Sequence, residues 1–112
     1  MKIFFYLFLK DFYFEINTTN TFPHSSGIAS SASGMSALAC CLIDLEKKIS
    51  AKGTPDEYWT QKSSFIARLG SGSACRSLEG NIVVWGDHSK IENSSNLFGV
   101  KYEGEVHENF KN

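Results

Sequence analysis

Between residues 12 and 18 hydrophobic and polar positions alternate, with Phe12, Phe14 and Ile16 on one face. That period of two predicts a strand. Asn20, Pro23, Ser25, Ser26 and Gly27 then punctuate a loop over residues 19–27. From Ile28 to about Lys47 the period becomes helical. Ile28, Ala32, Met35, Ala39, Leu42 and either Cys41 or Leu45 make an apolar stripe. The first half of this helix is built from Ala, Ser and Gly, small residues that let it lie close against backbone or a ligand. A second helix is expected from Thr54, with Thr54 as N-cap, Pro55 at N1, Glu57 closing a capping box, and Gly70 ending it. Tyr58, Trp59, Phe65 and Ile66 form its inner face. Residues 70–80 are small and polar, as in a binding loop. Asn81 to Trp85 reads as a short strand, Gly86-Asp87 as a turn, and a weaker hydrophobic group follows around Leu97 to Tyr102. The order strand, helix, helix, strand predicts an α/β fold of the α+β two-layer kind. One partial domain over residues 1–112 is expected.

Composition narrows the function. Hydrophobic residues make up 42% and charged residues 21%, as in a soluble globular protein. The formal net charge is -1, so there is no global basic field and no warrant for a nucleic-acid partner; any phosphate site must come from local geometry. Cys40, Cys41 and Cys75 form neither a CxxC pair nor an even disulfide set. With His24, His88 and His107 scattered, no zinc-ligand spacing occurs. A reduced, cytoplasmic compartment is expected. The opening Met1 to Lys10 imitates a signal peptide, but its apolar run from Ile3 to Leu9 is short, and no small-residue cleavage site follows Lys10 and Asp11. It is also too short to span a membrane, and a buried element of a larger protein is the expectation.

Two loops carry candidate chemistry. The first, Pro23 to Ser33 (Pro-His-Ser-Ser-Gly-Ile-Ala-Ser-Ser-Ala-Ser), runs straight into a helix. Such a loop presents free backbone N–H groups and the positive end of the helix dipole, which together bind anions. Ser30 and Ser31 add hydroxyls, and Gly27 permits close backbone approach. The Gly-Lys-Ser/Thr ending of a Walker A loop is absent. On composition alone, a flexible Ser-rich turn capping a helix fits equally well. The second loop is Arg68 to Ser77 (Arg-Leu-Gly-Ser-Gly-Ser-Ala-Cys-Arg-Ser). Ser71 and Ser73 straddle Gly72, so their hydroxyls can converge on one anion, and Arg76 offers a planar fork for a carboxylate or phosphate. The alternative is a polar turn with Arg76 in a structural salt bridge. Two anion-ready loops in one short chain favour phosphoryl transfer between ATP and a phosphorylated substrate.

The first loop resembles the second motif of the GHMP kinase superfamily, Pro-x-x-x-Gly-Leu-x-Ser-Ser, with Ile28 for Leu. Gly70 to Ser77 is more specific and resembles the signature of the diphosphomevalonate decarboxylase family. Residues 20–39 and 65–85 match in order and spacing. The resemblance implies a GHMP-kinase-type N-terminal domain (ribosomal protein S5 domain 2-like), incomplete here. It implies ATP and Mg²⁺ as cofactors, with Pro23, Ser26, Gly27, Ala29, Ser30 and Ser31 around the ATP phosphates. Ser71, Gly72 and Ser73 would hold the diphosphate of mevalonate 5-diphosphate, and Arg76 its carboxylate. The family phosphorylates the tertiary hydroxyl, and loss of phosphate and carbon dioxide gives isopentenyl diphosphate. A homodimer is implied for the full-length protein. Glu79 and Asn81 stand where the family usually has an aromatic residue and a glycine, and His24-Ser25 replaces a Thr-Ala pair.

The resemblance also implies that this chain is an internal piece, lacking a segment with lysine and tyrosine contacts and the catalytic aspartate. Asp44 is expected on an exposed helix side, Asp56 in a first turn, and Asp11 and Asp87 at strand ends. The piece alone is expected to be inactive. Alternatives are a related mevalonate kinase or phosphomevalonate decarboxylase, or a non-catalytic anion-binding module. Cys40 and Cys41 are expected in the helix core, Cys75 as a buried inert thiol, and Trp59 and Trp85 in the core or an interface.

Overall fold

The computed structural model describes residues 9–23, 27, 29–50 and 53–110. The signal-like run up to Phe8, Ser26 and Ile28 lie outside these residues. Two helices, a 3-10 turn and a two-stranded ribbon follow in order: α1 (Ser30–Ile49), α2 (Asp56–Gly70), the 3-10 turn (Gly72–Arg76), β1 (Val83–Trp85) and β2 (Gly99–Lys101). A short 3-10 element, Glu108–Phe110, comes near the end. This is an α+β arrangement, with α1 packed on α2, the 3-10 turn set against both helices, and the ribbon set against α2 and the turn.

α1 buries Ala32, Ser36, Ala39 and Ile43, a stripe stepping by three or four residues down one face. α2 answers with Trp59, Lys62, Ser63, Ser64 and Ala67. The core has two parts. Ala32, Ala39, Ala67 and Ala74 cluster at one end, with Met35, Ile66 and Leu78 against them. Ile43 and Trp59 cluster at the other, with Leu9, Leu42 and Ile66. Lys62 Nζ lies 2.5 Å from Glu46 Oε1 across the helix pair, both side chains largely buried. Lys47 Nζ meets Asp56 Oδ1 at 2.9 Å and ties the last turn of α1 to the first of α2.

β1 and β2 are antiparallel, with Val84 opposite Val100 and Trp85 opposite Gly99. Two strands alone are marginal in water, and this pair is anchored on α2 and the 3-10 turn. A Cβ on Gly99 would lie 2.5 Å from the Cys75 carbonyl oxygen, so only glycine lets β2 pass so near the 3-10 turn.

The structure corrects several expectations. Residues 12–18 are not a strand: Phe12, Phe14 and Ile16 are all exposed, and the segment pairs with neither β1 nor β2. Alternation marks a surface fit for a sheet, but a strand exists only where a partner takes its backbone bonds. α2 starts one residue later than expected, because Pro55 keeps an extended ψ of 146° and becomes the N-cap. Thr54 is then outside the helix, Glu57 is not at N3, and no side-chain cap bond forms. Gly70 does end α2, but not as a left-handed cap; Ser71 beyond it is extended. A Cβ at 70 would come 2.5 Å from Met35 Sδ, so the flexible Met35 side chain would have to shift to admit one. Cys40 and Cys41 are exposed rather than core, because the buried stripe runs through Ala39 and Ile43 and leaves both to one side. Tyr58 and Trp85 are also partly exposed, at 43% and 40%.

Candidate functional site

The first turn of α1 and the turn after α2 meet. Ser31 Oγ and Ser71 Oγ are 3.4 Å apart, 40 positions apart in sequence. The chain enters α1 through Gly27 at φ 76° and Ala29 at φ 59°, ψ 45°, the latter a left-handed conformation unusual for alanine. Ala29 is the N-cap and makes no side-chain cap bond. The first turn contains no acidic residue. The first helical backbone bond runs from Ser33 N–H to the Ala29 carbonyl at 3.1 Å. The N–H groups of Ser30, Ser31 and Ala32 therefore have no intrahelical acceptor, and the positive end of the helix dipole is not neutralised from within its own first turn. Ser30 is half-buried; Pro23, Gly27, Ala29 and Ser31 are exposed.

Across from them, Ser71 and Ser73 are half-buried and Gly72 and Arg76 exposed. Arg76 has no ion-pair partner among the described residues, so the structural salt bridge considered from sequence is not formed there. Arg68 is committed elsewhere: its guanidinium lies over the Phe65 ring, 5.3 Å from the centroid, and its Nε donates to the Leu97 carbonyl at 3.0 Å. Cys75 is buried, as expected. Burial pushes its thiol up, against the opposing pull of Arg76 and Arg68. A cleft of about 510 Å³ opens beside the α1 entry, lined by Phe22, Ala29, Ser33, Ala37 and Ser77 among others.

Buried hydroxyls that the sequence reading passed over hold the 3-10 turn in place. Ser36 Oγ lies 2.6 Å from the Ala32 carbonyl and 2.9 Å from that of Ala74, joining α1 to the turn. Ser64 Oγ donates to the Cys75 carbonyl at 2.9 Å and accepts the Gly99 N–H at 2.8 Å, joining α2, the turn and β2. The available signal was a serine at a core position, Ser36 between Ala32 and Ala39, and Ser64 one turn before Ala67.

The first-turn N–H groups of α1 and the Ser31 and Ser71 hydroxyls beside them fit phosphate oxygens, and the exposed Arg76 guanidinium fits a carboxylate. A divalent metal is served less well. No group of three or more His, Cys, Asp or Glu that could hold one occurs among the described residues, which leaves hydroxyl oxygens. Asp44 pairs with Lys48, and Asp56 with Lys47, away from the first turn of α1.

The class so defined is a small α+β unit with two serine-rich turns brought together. The chain belongs to the diphosphomevalonate decarboxylase-like N-terminal domain family, whose model matches residues 4–97. It is 38% identical over 93 residues to the diphosphomevalonate decarboxylase of Saccharomyces cerevisiae, covering 83% of this chain and 21% of that protein. The enzyme of the same name from Eremothecium gossypii is 42% identical over 77 residues, or 69% of this chain and 17% of the relative. That of Danio rerio is 41% identical over 71 residues, or 63% and 15%. The chain thus spans about a fifth or less of the length of these relatives. No solved structure matches it.

Proposed function

We propose that this chain is the phosphate- and substrate-anion-binding part of an ATP-dependent decarboxylase that converts mevalonate 5-diphosphate to isopentenyl diphosphate. The observation that carries the reading is the 3.4 Å approach of Ser31 to Ser71, which puts the two anion turns within one reaction distance. ATP with Mg²⁺ supplies the phosphoryl group. The open α1 N-terminus, with Ser30 and Ser31, holds its phosphate oxygens, and residues 23–29 wrap them. Ser71, Gly72 and Ser73 hold the substrate diphosphate. Arg76 clamps the carboxylate, so the bond to be broken is oriented before the leaving group departs. Phosphoryl transfer asks mainly for placement and charge neutralisation, which these groups provide.

The reading places the chain in a GHMP-kinase-type, S5 domain 2-like N-terminal domain of a cytoplasmic homodimer. The catalytic aspartate would lie on another part of the enzyme, leaving this chain to bind without turning over. No described helix is long and apolar enough to cross a membrane.

Calorimetric titration with MgATP and with mevalonate 5-diphosphate tests the assignment. Arg76→Ala is expected to weaken the second ligand by about tenfold or more, the loss of a charge-assisted clamp, with MgATP affinity within twofold. Equal loss of both ligands would remove Arg76 from the substrate carboxylate.

A further inference from the structure

We infer that Ser64, buried in α2 and outside the anion loops, is a positioning residue that sets the direction in which Arg76 leaves its turn. The inference rests on the reading of residues 71–76 as an anion site. Ser64 is 2% exposed and its bonding is directional on both sides. The Gly99 N–H donates to Ser64 Oγ at 2.8 Å, which commits the hydroxyl proton to the Cys75 carbonyl at 2.9 Å. Cys75 immediately precedes Arg76, so the peptide plane from which Arg76 departs is held by that proton. The same carbonyl packs against Gly99, where even a methyl group would not fit. The Cys75 carbonyl is therefore fixed by one donor and one wall.

The rest of the turn is pinned in the same manner. Ser36 reaches the Ala74 carbonyl from α1, and Cys75 Sγ contacts the Gly72 carbonyl at 3.3 Å. Among the described residues, Ser64 alone bonds both β2 and the residue before the guanidinium. A short 3-10 turn has poorer internal hydrogen bonds than an α-helix, so an external donor decides its geometry. Without Ser64 Oγ, the Cys75 carbonyl and Gly99 N–H are both left unpaired in a dry setting, and the turn is free to rotate to seek partners.

Ser63 supplies a matched control. It is the adjacent residue, also buried, and its hydroxyl donates to the Trp59 carbonyl at 2.8 Å within the same helix rather than to the turn. A purely structural role for Ser64 would make the two positions behave alike. The experiment is calorimetric titration of the 112-residue chain with mevalonate 5-diphosphate, which carries the carboxylate assigned to Arg76, and with inorganic pyrophosphate, which lacks it, alongside thermal unfolding. Ser64→Ala is expected to weaken mevalonate 5-diphosphate about tenfold, the scale of one well-placed hydrogen bond, while pyrophosphate stays within about twofold. Ser63→Ala is expected to lower the melting temperature comparably and leave both affinities unchanged. If Ser64→Ala does not fold, Ser64→Cys, of nearly the same shape but a weak donor, carries the test. Mevalonate 5-diphosphate affinity at the wild-type level in the folded Ser64 variant, an equal loss of pyrophosphate, or equal losses at 63 and 64, overturns the inference while the anion-site reading stands. Absence of mevalonate 5-diphosphate binding by the wild-type chain overturns both.

Discussion

The Lys62–Glu46 pair is a largely buried ionic contact between α1 and α2, and its removal should be felt far from where it sits. The two side chains are 6% and 14% exposed, and the contact is 2.5 Å. Lys62 Nζ also lies 5.7 Å from the Tyr58 ring centroid and 5.9 Å from that of Trp59. Glu46 Oε2 is buried with no partner among the described residues, so the carboxylate already carries an unmet demand. Deleting Lys62 as Lys62→Met keeps the stem and a sulfur against the rings but leaves a buried carboxylate alone. Breaking one half of a buried pair costs about 3–5 kcal/mol. Against a total of roughly 5–15 kcal/mol for a small domain, that brings the chain near unfolding. Glu46→Leu removes the carboxylate that Lys62 pairs with and is expected to destabilise the chain as well. The double variant leaves no orphan charge and should cost less than either single one, by about 2 kcal/mol or more. The site should respond too. Ser31 lies about 22 Å along the α1 axis from Glu46, so a 5° tilt at the pair moves that end by about 2 Å, enough to part Ser31 from Ser71. Urea unfolding of the wild type, the two single variants and the double variant closes the cycle. Additive losses, or single losses below about 1 kcal/mol, would refute the argument that this pair is dry and interdependent.

Further consequences can be checked on the same chain. Ala29→Gly should raise stability by about 0.5–1 kcal/mol: relief of alanine's left-handed strain, roughly 1–2 kcal/mol, exceeds the extra backbone entropy of glycine in the unfolded chain. A lower urea midpoint would show that the strain is not there. The thiols should separate kinetically, with Cys41 reacting readily with a disulfide reagent and Cys75 only on unfolding. Because burial holds the Cys75 thiol above its ordinary value, the folded state keeps a proton that the unfolded state gives up. Its contribution to stability is therefore complete below the unfolded thiol's pKa of about 8.5 and declines as pH rises through that range. Stability in a Cys75→Ala variant should lose part of this alkaline slope, and an unchanged slope would assign it to other groups.

Helix periodicity, small-residue composition and the two serine-rich loops were legible in the sequence because each is a local pattern. α1 and α2 appear within a few residues of their expected bounds. What failed depended on partners. Phe12, Phe14 and Ile16 alternate correctly for a strand, yet alternation does not supply a neighbouring edge. Cys40 and Cys41 are apolar and helical, but the stripe that is buried depends on where α2 lies, which a helical wheel does not contain. Pro55 fits N1 by its φ, while its ψ is decided by the connection from α1. Ser36 and Ser64 look like interruptions of apolar faces. They are core residues because carbonyls of a turn distant in sequence arrive above them. The adjacency of the loops is likewise tertiary, since Ser31 and Ser71 are brought together only by the packing of α1 on α2.

That packing is uneven along its length, and the unevenness follows from what each end must hold. Near the two serine-rich turns the interface is alanine, with Ala32, Ala39, Ala67 and Ala74 in contact and Gly70 giving way to Met35. An alanine in place of leucine forgoes roughly three buried carbons, each worth about 0.8 kcal/mol, so this end gives up several kcal/mol of burial. Larger side chains would recover it by forcing the helices apart toward the upper part of the usual range of about 8–10 Å. The hydroxyl bonds from Ser36 and Ser64 to the turn would then be out of reach. At the far end Ile43, Trp59 and the Lys62–Glu46 pair supply bulk and charge with no ligand to accommodate. The helix pair is thus anchored where bulk is tolerated and kept thin where serine hydroxyls must meet, which is why the stability of one end bears on the geometry of the other.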